Sequence, residues 1–244
     1  MMNIKLTIEY DGTNYHGWQV QPNGQTIQEV LERALEKILG VKTRLNGSGR
    51  TDAGVHALGQ VANFIYAGDL DVGLLQKGLN ALTPQDIVVK QVELVADSFD
   101  ARRDAKSRVY QYRIWNHPIP SAFYRRFSWH IRDRLDLLSM QEAIQSLEGE
   151  HDFGSFQAAG CDAEHAVRKI FHNSLSPKDG FLVYTVEATA FLRHMVRNIV
   201  GTLVEVGRRE RSAADFADLL KAEDRRLAGP TAPPHGLFLV EVKY

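Results

Sequence analysis

Cysteine is almost absent from this sequence, since Cys161 is the only one among 244 residues. An intramolecular disulfide needs two cysteines, and so does the smallest common structural zinc site built on cysteine. Both are therefore excluded. A chain of this length buries enough surface to fold without such links. The scarcity of cysteine is typical of a reducing compartment, so we expect a cytoplasmic location.

Long apolar runs are missing as well. No stretch approaches the 18 residues that a membrane-spanning helix requires, and the opening residues 1–10 lack the apolar core of a secretory signal. We therefore expect no membrane partner. Histidines are scattered and cysteine is nearly absent, so we also expect no metal site.

The sequence has no large excess of charge of either sign, because 29 Lys and Arg face 30 Asp and Glu. A uniformly basic protein is excluded. The segment 101–134 is nevertheless basic, with 9 Lys and Arg against 2 acids, and it is rich in aromatic residues. Arginines interleaved with aromatics are typical of a surface for single-stranded or irregular nucleic acid. The alternative is a solvated basic face over ordinary core aromatics.

Glycine is concentrated around one acidic residue. Within 46–56, three glycines frame Arg50 and Asp52, and an apolar run at 61–66 predicts a strand that holds this loop in place. A carboxylate on a stiff loop is a candidate catalytic acid, base or nucleophile. The alternative is a turn in which Asp52 only bonds its own backbone.

Two common glycine motifs can be excluded for this loop. A phosphate-binding P-loop needs Lys and a hydroxyl residue after its last glycine, but Val55 and His56 follow Gly54. A dinucleotide-binding loop needs a third glycine where Asp52 stands.

Hydrophobic periodicity predicts an α+β protein with helices packed on sheets. A helix begins after a capping box at Thr26 and Glu29 and ends at Gly40. The residues His151 to Phe156 are predicted to form a compact turn. The other predicted strands are 4–10, 87–92, 109–115, 181–187 and 237–244, and the other predicted helices are 72–82, 140–147, 191–206 and 213–220. We expect two α+β halves, 1–106 and 107–244.

Two arginines are notable in the predicted helix 191–206. Arg193 and Arg197 would lie one turn apart on its polar side, with no acid at the positions that could pair with them along the helix. An arginine in that setting favours a carboxylate or a phosphate from elsewhere, unless it is simply solvated.

Several motifs in order resemble one family. They are Tyr10-Asp11-Gly12-Thr13, Gly17-Trp18-Gln19, Gly49-Arg50-Thr51-Asp52-Ala53-Gly54-Val55-His56, Phe99-Asp100-Ala101-Arg102, Arg108-x-Tyr110-x-Tyr112, His151-Asp152-Phe153, Phe191-Leu192-Arg193-x-Met195-Val196-Arg197 and Gly236-Leu237. This set resembles the tRNA pseudouridine synthase A family across nearly the whole chain.

The resemblance implies an enzyme that isomerises uridine to pseudouridine at positions 38, 39 and 40 of the tRNA anticodon stem-loop. It implies no cofactor and a homodimer. It also implies a fold of two RRM-like or ferredoxin-like halves, whose antiparallel sheets adjoin around a basic cleft.

The resemblance also implies roles for four residues. Asp52 would be the nucleophile, and Arg197 would pair with it. Tyr110 would stack on the target base and act near the proton-transfer step, while Arg50 would help displace and hold the flipped nucleotide. The residues do not decide whether the carboxylate adds to the base, adds to the sugar or abstracts a sugar proton.

Two other classes of protein remain open from the residues alone. A non-catalytic RNA-binding module would use the basic, aromatic segment but has no need for Asp52. An aspartate-dependent nucleoside hydrolase would use Asp52 but has no need for so extended a basic surface.

Overall fold

The computed structural model describes residues 1–160 and 164–244, so Cys161 lies outside the described residues. The chain divides into two compact units. Unit 1 consists of Met1–Lys106 together with Phe238–Tyr244, and unit 2 consists of Ser107–Leu237.

Unit 1 is built on a mainly antiparallel sheet with two helices. Its elements are β1 (Met2–Tyr10), α1 (Ile27–Leu39), β2 (Asn46–Gly47), β3 (His56–Tyr66), α2 (Val72–Leu82), β4 (Ile87–Val95) and β10 (Leu237–Lys243), which is part of this unit from Phe238 onward. The strand order β4-β1-β3-β2 is antiparallel, and β10 pairs in parallel with the start of β3. The order βαββαβ of the first six elements is that of a ferredoxin-like unit.

The first strand and helix form for local reasons. Every second residue of β1 from Ile4 to Tyr10 is buried, so one face of the strand packs on the core. The Oγ1 atom of Thr26 accepts the N–H of Glu29, and Gly40 ends α1 with a positive φ of 72°. The capping box is half formed, because the Glu29 carboxylate pairs with Arg33 at 2.6 Å instead of reaching back.

Unit 2 combines mainly antiparallel strands with three helices. Its elements are β5 (Ser107–Asn116), β6 (Trp129–Ile131), α3 (Leu137–Ile144), β7 (Gly149–Asp152), β8 (Val167–Lys178), β9 (Phe181–Ala188), α4 (Met195–Gly207) and α5 (Ala213–Ala222). The order β5-β9-β8-β7 is antiparallel, and the short β6 pairs in parallel with β5. The three helices pack against one another. The predicted α+β class is therefore confirmed.

One long strand, β8, is not predicted by the sequence pattern. β8 covers twelve residues, but its register shifts between Ile170 and His172, so its buried positions do not follow one period of two. Pro177 also lies inside it, and proline argues against a strand on local grounds.

Two predicted elements need correction. The helix predicted from residue 191 begins only at Met195, because His194 adopts a left-handed backbone with φ 61°. Arg193 therefore precedes the helix and does not lie on its face with Arg197. The predicted turn from His151 is half strand, since β7 continues to Asp152 before a short 3-10 turn.

None of the helices within the described residues is both long and apolar enough to cross a membrane.

Candidate active site

The glycine-rich loop joins β2 to β3 and presents two charged side chains. Asp52 is half-buried, and Arg50 is exposed. The N–H of Val55 donates to the carbonyl of Asp52 at 3.1 Å, which closes a tight turn. Gly54 is the third residue of this turn and has φ 77°, a conformation that favours glycine.

Thr51 fixes the loop to the sheet and to the segment before α1. The hydroxyls of Tyr10 and Thr51 are 2.7 Å apart in a buried hydrogen bond, and burial raises the pKa of Tyr10. The N–H of Trp18 donates to the carbonyl of Thr51 at 3.0 Å. Gly17 approaches so closely that a Cβ there would stand 2.5 Å from the same carbonyl oxygen. The backbone next to Asp52 is therefore held from two directions.

Gln60 on β3 holds the other end of the loop. This side chain is fully buried, and its Nε2 atom donates to the carbonyl of Gly49 at 3.0 Å. Its Oε1 atom accepts from the Ser48 hydroxyl at 2.7 Å and from the N–H of Val61 at 3.1 Å. A loop tied at both ends keeps its functional side chains in place before any substrate binds.

Gly12 brings a third part of unit 1 against the loop. Its N–H donates to Nδ1 of His56 at 3.1 Å, and a Cβ at this position would lie 2.0 Å from the carbonyl oxygen of Val55. The Gly12 and Gly17 motifs are therefore the structural support of the loop that carries Asp52.

Tyr110 lies in unit 2 on β5. It shares the buried face of the strand with Tyr112 and Ile114, as the alternation predicts, and 8% of its surface is exposed. The ring of Phe191 contacts it edge-on with 4.9 Å between ring centroids. This contact restrains the plane of the Tyr110 ring.

Arg197 lies on α4, which packs on β5. Its Nε atom donates to the carbonyl of Ala232 at 2.8 Å, and the N–H of Ala232 donates back to the carbonyl of Arg197 at 3.0 Å. Arg193 is elsewhere, exposed, with its Nη1 atom 3.4 Å from the carbonyl oxygen of Ala159. Of these two arginines, Arg197 is the one that lies in the packed part of unit 2.

The structure therefore places Asp52 and Arg50 on one loop of unit 1, and Tyr110 and Arg197 on packed elements of unit 2. Residues that support these side chains, such as Gln60 and Ala232, were not found from the sequence. Their bonds join residues far apart along the chain, so no local pattern marks them. Within the described ranges, no group of three or more His, Cys, Asp or Glu side chains is arranged to hold a metal ion.

Comparison with known proteins places this chain among the tRNA pseudouridine synthases. It matches the family model described as tRNA pseudouridine synthase over residues 6–102 and 143–244. Among solved structures, a crystal structure of the archaeal box H/ACA sRNP Nop10-Cbf5 complex matches 92% of this chain and 59% of its own chain, with 10% identity and a TM-score of 0.36.

Curated relatives narrow the class to one family. The tRNA pseudouridine synthase A of Myxococcus xanthus is 48% identical over 245 residues, which cover 100% of this chain and 92% of that protein. The proteins of the same name from Geotalea daltonii and Acetivibrio thermocellus are 48% and 45% identical, with 100% of both chains covered. The chain belongs to the tRNA pseudouridine synthase A family, whose members are isomerases that pseudouridylate tRNA.

Proposed function

We propose that this enzyme isomerises uridine at positions 38, 39 and 40 of the tRNA anticodon stem-loop, with Asp52 as the nucleophile. The reaction breaks the bond between N1 and C1′ and forms a bond between C5 and C1′. The proton on C5 leaves, and N1 gains one, so the mass of the RNA does not change. The balance needs no oxidant, reductant or nucleotide cofactor.

The observation that carries this proposal is the support around Asp52. Thr51 and Gly49 on the same loop are bonded to Tyr10, Trp18 and Gln60, so the carboxylate stands on a backbone that is fixed before substrate binds. A nucleophile held in this way loses little freedom when the reaction begins. A purely RNA-binding loop gains nothing from a carboxylate, which repels phosphate.

The other three residues take the roles that the family resemblance implies. Arg197 pairs with Asp52 and holds its carboxylate in one orientation, because the planar guanidinium can donate two parallel hydrogen bonds to it. Tyr110 stacks on the target base and acts near the proton-transfer step. Arg50, which is exposed on the loop, helps to displace the nucleotide from the helical stack and to hold it.

The exposed rings and arginines of the segment 117–134 favour RNA as the substrate. Phe123 has 87% of its surface exposed, and Tyr124 has 40% exposed. Arg125 and Arg126 follow directly and are exposed as well. Exposed rings stack on unpaired bases, and arginines contact the phosphates between them. An anticodon loop presents both unpaired bases and phosphates.

The test uses tRNA transcripts that carry tritium on C5 of uridine. Transcripts with a single target uridine at 38, 39 or 40 should each release tritium as pseudouridine forms. Asp52→Ala and Asp52→Asn should abolish release while melting temperature and tRNA affinity stay close to the wild-type values. Asp69→Asn, at an exposed aspartate of the same unit, is the matched control and should keep full activity.

The same assay separates the competing classes. A non-catalytic RNA-binding module would bind the transcripts without releasing tritium. A nucleoside hydrolase would release free uracil. Appreciable single-turnover activity in Asp52→Ala would assign Asp52 a structural role and overturn the proposed mechanism.

We also propose that the active form is a cytoplasmic homodimer, as the resemblance implies. Light scattering on the purified protein should give twice the 27.5 kDa of one chain. A mass of one chain at the concentrations of the activity assay would contradict the dimer without affecting the proposed chemistry.

A further inference from the structure

One segment of unit 2, Gly229–Ala232, runs along the surface of α4. A Cβ on Gly201 would stand 1.6 Å from the carbonyl oxygen of Pro230, so the segment lies directly on the helix backbone. At the end of this segment, the carbonyl of Ala232 accepts the Nε–H of Arg197 at 2.8 Å. This bond therefore restrains the plane in which the guanidinium lies.

A buried polar group holds the segment in place. Asn198 follows Arg197 on α4 and is fully buried. Its Oδ1 atom accepts the Thr231 hydroxyl at 2.6 Å and Nη2 of Arg225 at 3.2 Å, and its Nδ2 atom donates to the carbonyl of Phe156 at 2.8 Å. Both ends of the Asn198 amide are engaged, so the amide has one orientation.

A second bond fastens the start of the segment. The hydroxyl of Thr202 accepts the N–H of Gly229 at 3.0 Å and donates to the carbonyl of Asn198 at 2.8 Å. Tyr112 holds the chain just beyond the segment, because its hydroxyl donates to the carbonyl of Pro233 at 2.8 Å. Between these two anchors, the Thr231 hydroxyl is the side-chain link nearest to Ala232.

We propose that Thr231 is a positioning residue for the isomerisation, acting through Arg197. Its hydroxyl holds the Ala232 carbonyl where that carbonyl accepts Nε–H, and the bond sets the plane of the guanidinium that pairs with the catalytic carboxylate. A guanidinium pairs with a carboxylate through two parallel bonds, and a tilted plane loses one of them. The role of Arg197 rests on the proposed function.

The test compares Thr231→Val with Thr231→Ser. Valine keeps the branched shape and removes the hydroxyl, whereas serine keeps the hydroxyl. With saturating enzyme and one turnover, Thr231→Val should slow the chemical step about tenfold, because a small misplacement of a catalytic group is costly. The tRNA dissociation constant should stay within about twofold, and Thr231→Ser should restore the rate. Thr231→Ala, which also lacks the hydroxyl, keeps the result independent of how valine fits.

A matched control tests whether any lost threonine hydroxyl has this effect. Thr83 is also half-buried, and its hydroxyl lies 3.0 Å from the carbonyl oxygens of Leu79 and Ile87 in unit 1. Thr83→Val should leave the single-turnover rate unchanged. A Thr231→Val enzyme with the wild-type rate, or one whose rate serine does not restore, would overturn the positioning role.

Repeating Thr231→Val in an Arg197→Lys enzyme tests the route of the effect. Lysine has no guanidinium whose plane the Ala232 carbonyl could set. Adding Thr231→Val to Arg197→Lys should therefore slow the single-turnover rate further by less than about twofold. A full tenfold loss in both backgrounds would show that Thr231 acts independently of Arg197. An Arg197→Lys enzyme with the wild-type rate would refute the role of Arg197 itself, which is a distinguishable failure of the proposed function.

Discussion

At the scale of single residues, the arrangement separates two arginines that look alike in the sequence. Arg197 is half-buried on α4 and bonded to Ala232, whereas Arg193 is exposed in the turn before the helix. Their different surroundings explain why only one of them is a candidate for the reaction.

Arg197→Lys and Arg193→Lys should therefore differ strongly. Lysine is a point charge and cannot reproduce the planar fork, so Arg197→Lys should lose roughly 2–4 kcal/mol of transition-state stabilisation. Arg193→Lys should lose less than about 0.5 kcal/mol, as is usual for exposed sites. The measurement is the single-turnover rate with saturating enzyme. Equal, mild defects in both variants would contradict the proposed pairing of Arg197 with Asp52.

The surroundings of His235 predict how the stability of the protein depends on pH. Burial lowers the pKa of its imidazole below the ordinary 6.5, a hydrogen bond with the backbone of Ser128 opposes the shift, and the charge of Arg197 lowers the pKa further. As pH falls through 6.5, the unfolded chain binds a proton at this residue before the folded protein does. The free energy of unfolding must therefore decrease as pH falls, until the folded pKa is passed.

Replacing the imidazole should remove this contribution. Urea denaturation of wild type and His235→Gln at pH 7.5, 6.5 and 5.5 should show a weaker loss of stability in the variant, because other titrating groups are common to both. Parallel curves for the two proteins would show that His235 titrates alike in the folded and unfolded states.

At the scale of an element, α4 carries both the candidate reactive arginine and its support. Its buried face packs into unit 2, and the segment Gly229–Ala232 lies on its backbone over Gly201. Glycine inside a helix normally costs stability, but at Gly201 a larger side chain has no room. The contact with Pro230 is the reason.

Gly201→Ala should consequently destabilise the protein by roughly 1–3 kcal/mol, because a Cβ would displace the Pro230 carbonyl. The control is Gly78→Ala on α2, where a Cβ would meet only the flexible end of Ile38 at 3.1 Å. That substitution should be neutral or stabilise by up to about 1 kcal/mol, as alanine usually does in a helix. Urea denaturation measures both, and a stabilising Gly201→Ala would refute the close contact.

At the scale of the whole molecule, the near-neutral net charge of −1 makes local charge and exposed rings more important than global attraction. Phe123 is the most exposed large aromatic side chain among the described residues and stands beside two exposed arginines. The interaction with tRNA should therefore combine stacking at this position with salt-dependent contacts to phosphate.

Phe123→Ala should weaken tRNA binding about tenfold, since stacking on one base contributes roughly 1–3 kcal/mol. The slope of affinity against salt concentration should not change, because no cation is lost. Leu138→Ala, at an apolar residue with 78% of its surface exposed on α3, is the control and should bind normally. Filter binding at several salt concentrations gives both quantities. Unchanged affinity in Phe123→Ala would exclude the ring from the RNA contact.

The sequence by itself determined the elements whose signals are local. α2 was predicted with its observed bounds, and β1, β5 and α1 followed from alternation, helical periodicity and capping. The loop around Asp52 was equally readable, because a run of adjacent residues carries its motif, and the family was readable from short motifs that follow one another in order along the chain. Patterns of this kind report neighbours along the chain, which a single sequence contains completely.

The tertiary structure alone decided what holds these elements and side chains in place. β8 was missed because a bulge and a proline disturb its local pattern, and α4 was predicted one turn too long because the positive φ of His194 has no local signal. The bond from Arg197 to Ala232 spans 35 residues, and the one from Tyr10 to Thr51 spans 41. Contacts between such distant residues arise only when the chain packs, so no local periodicity could have encoded them.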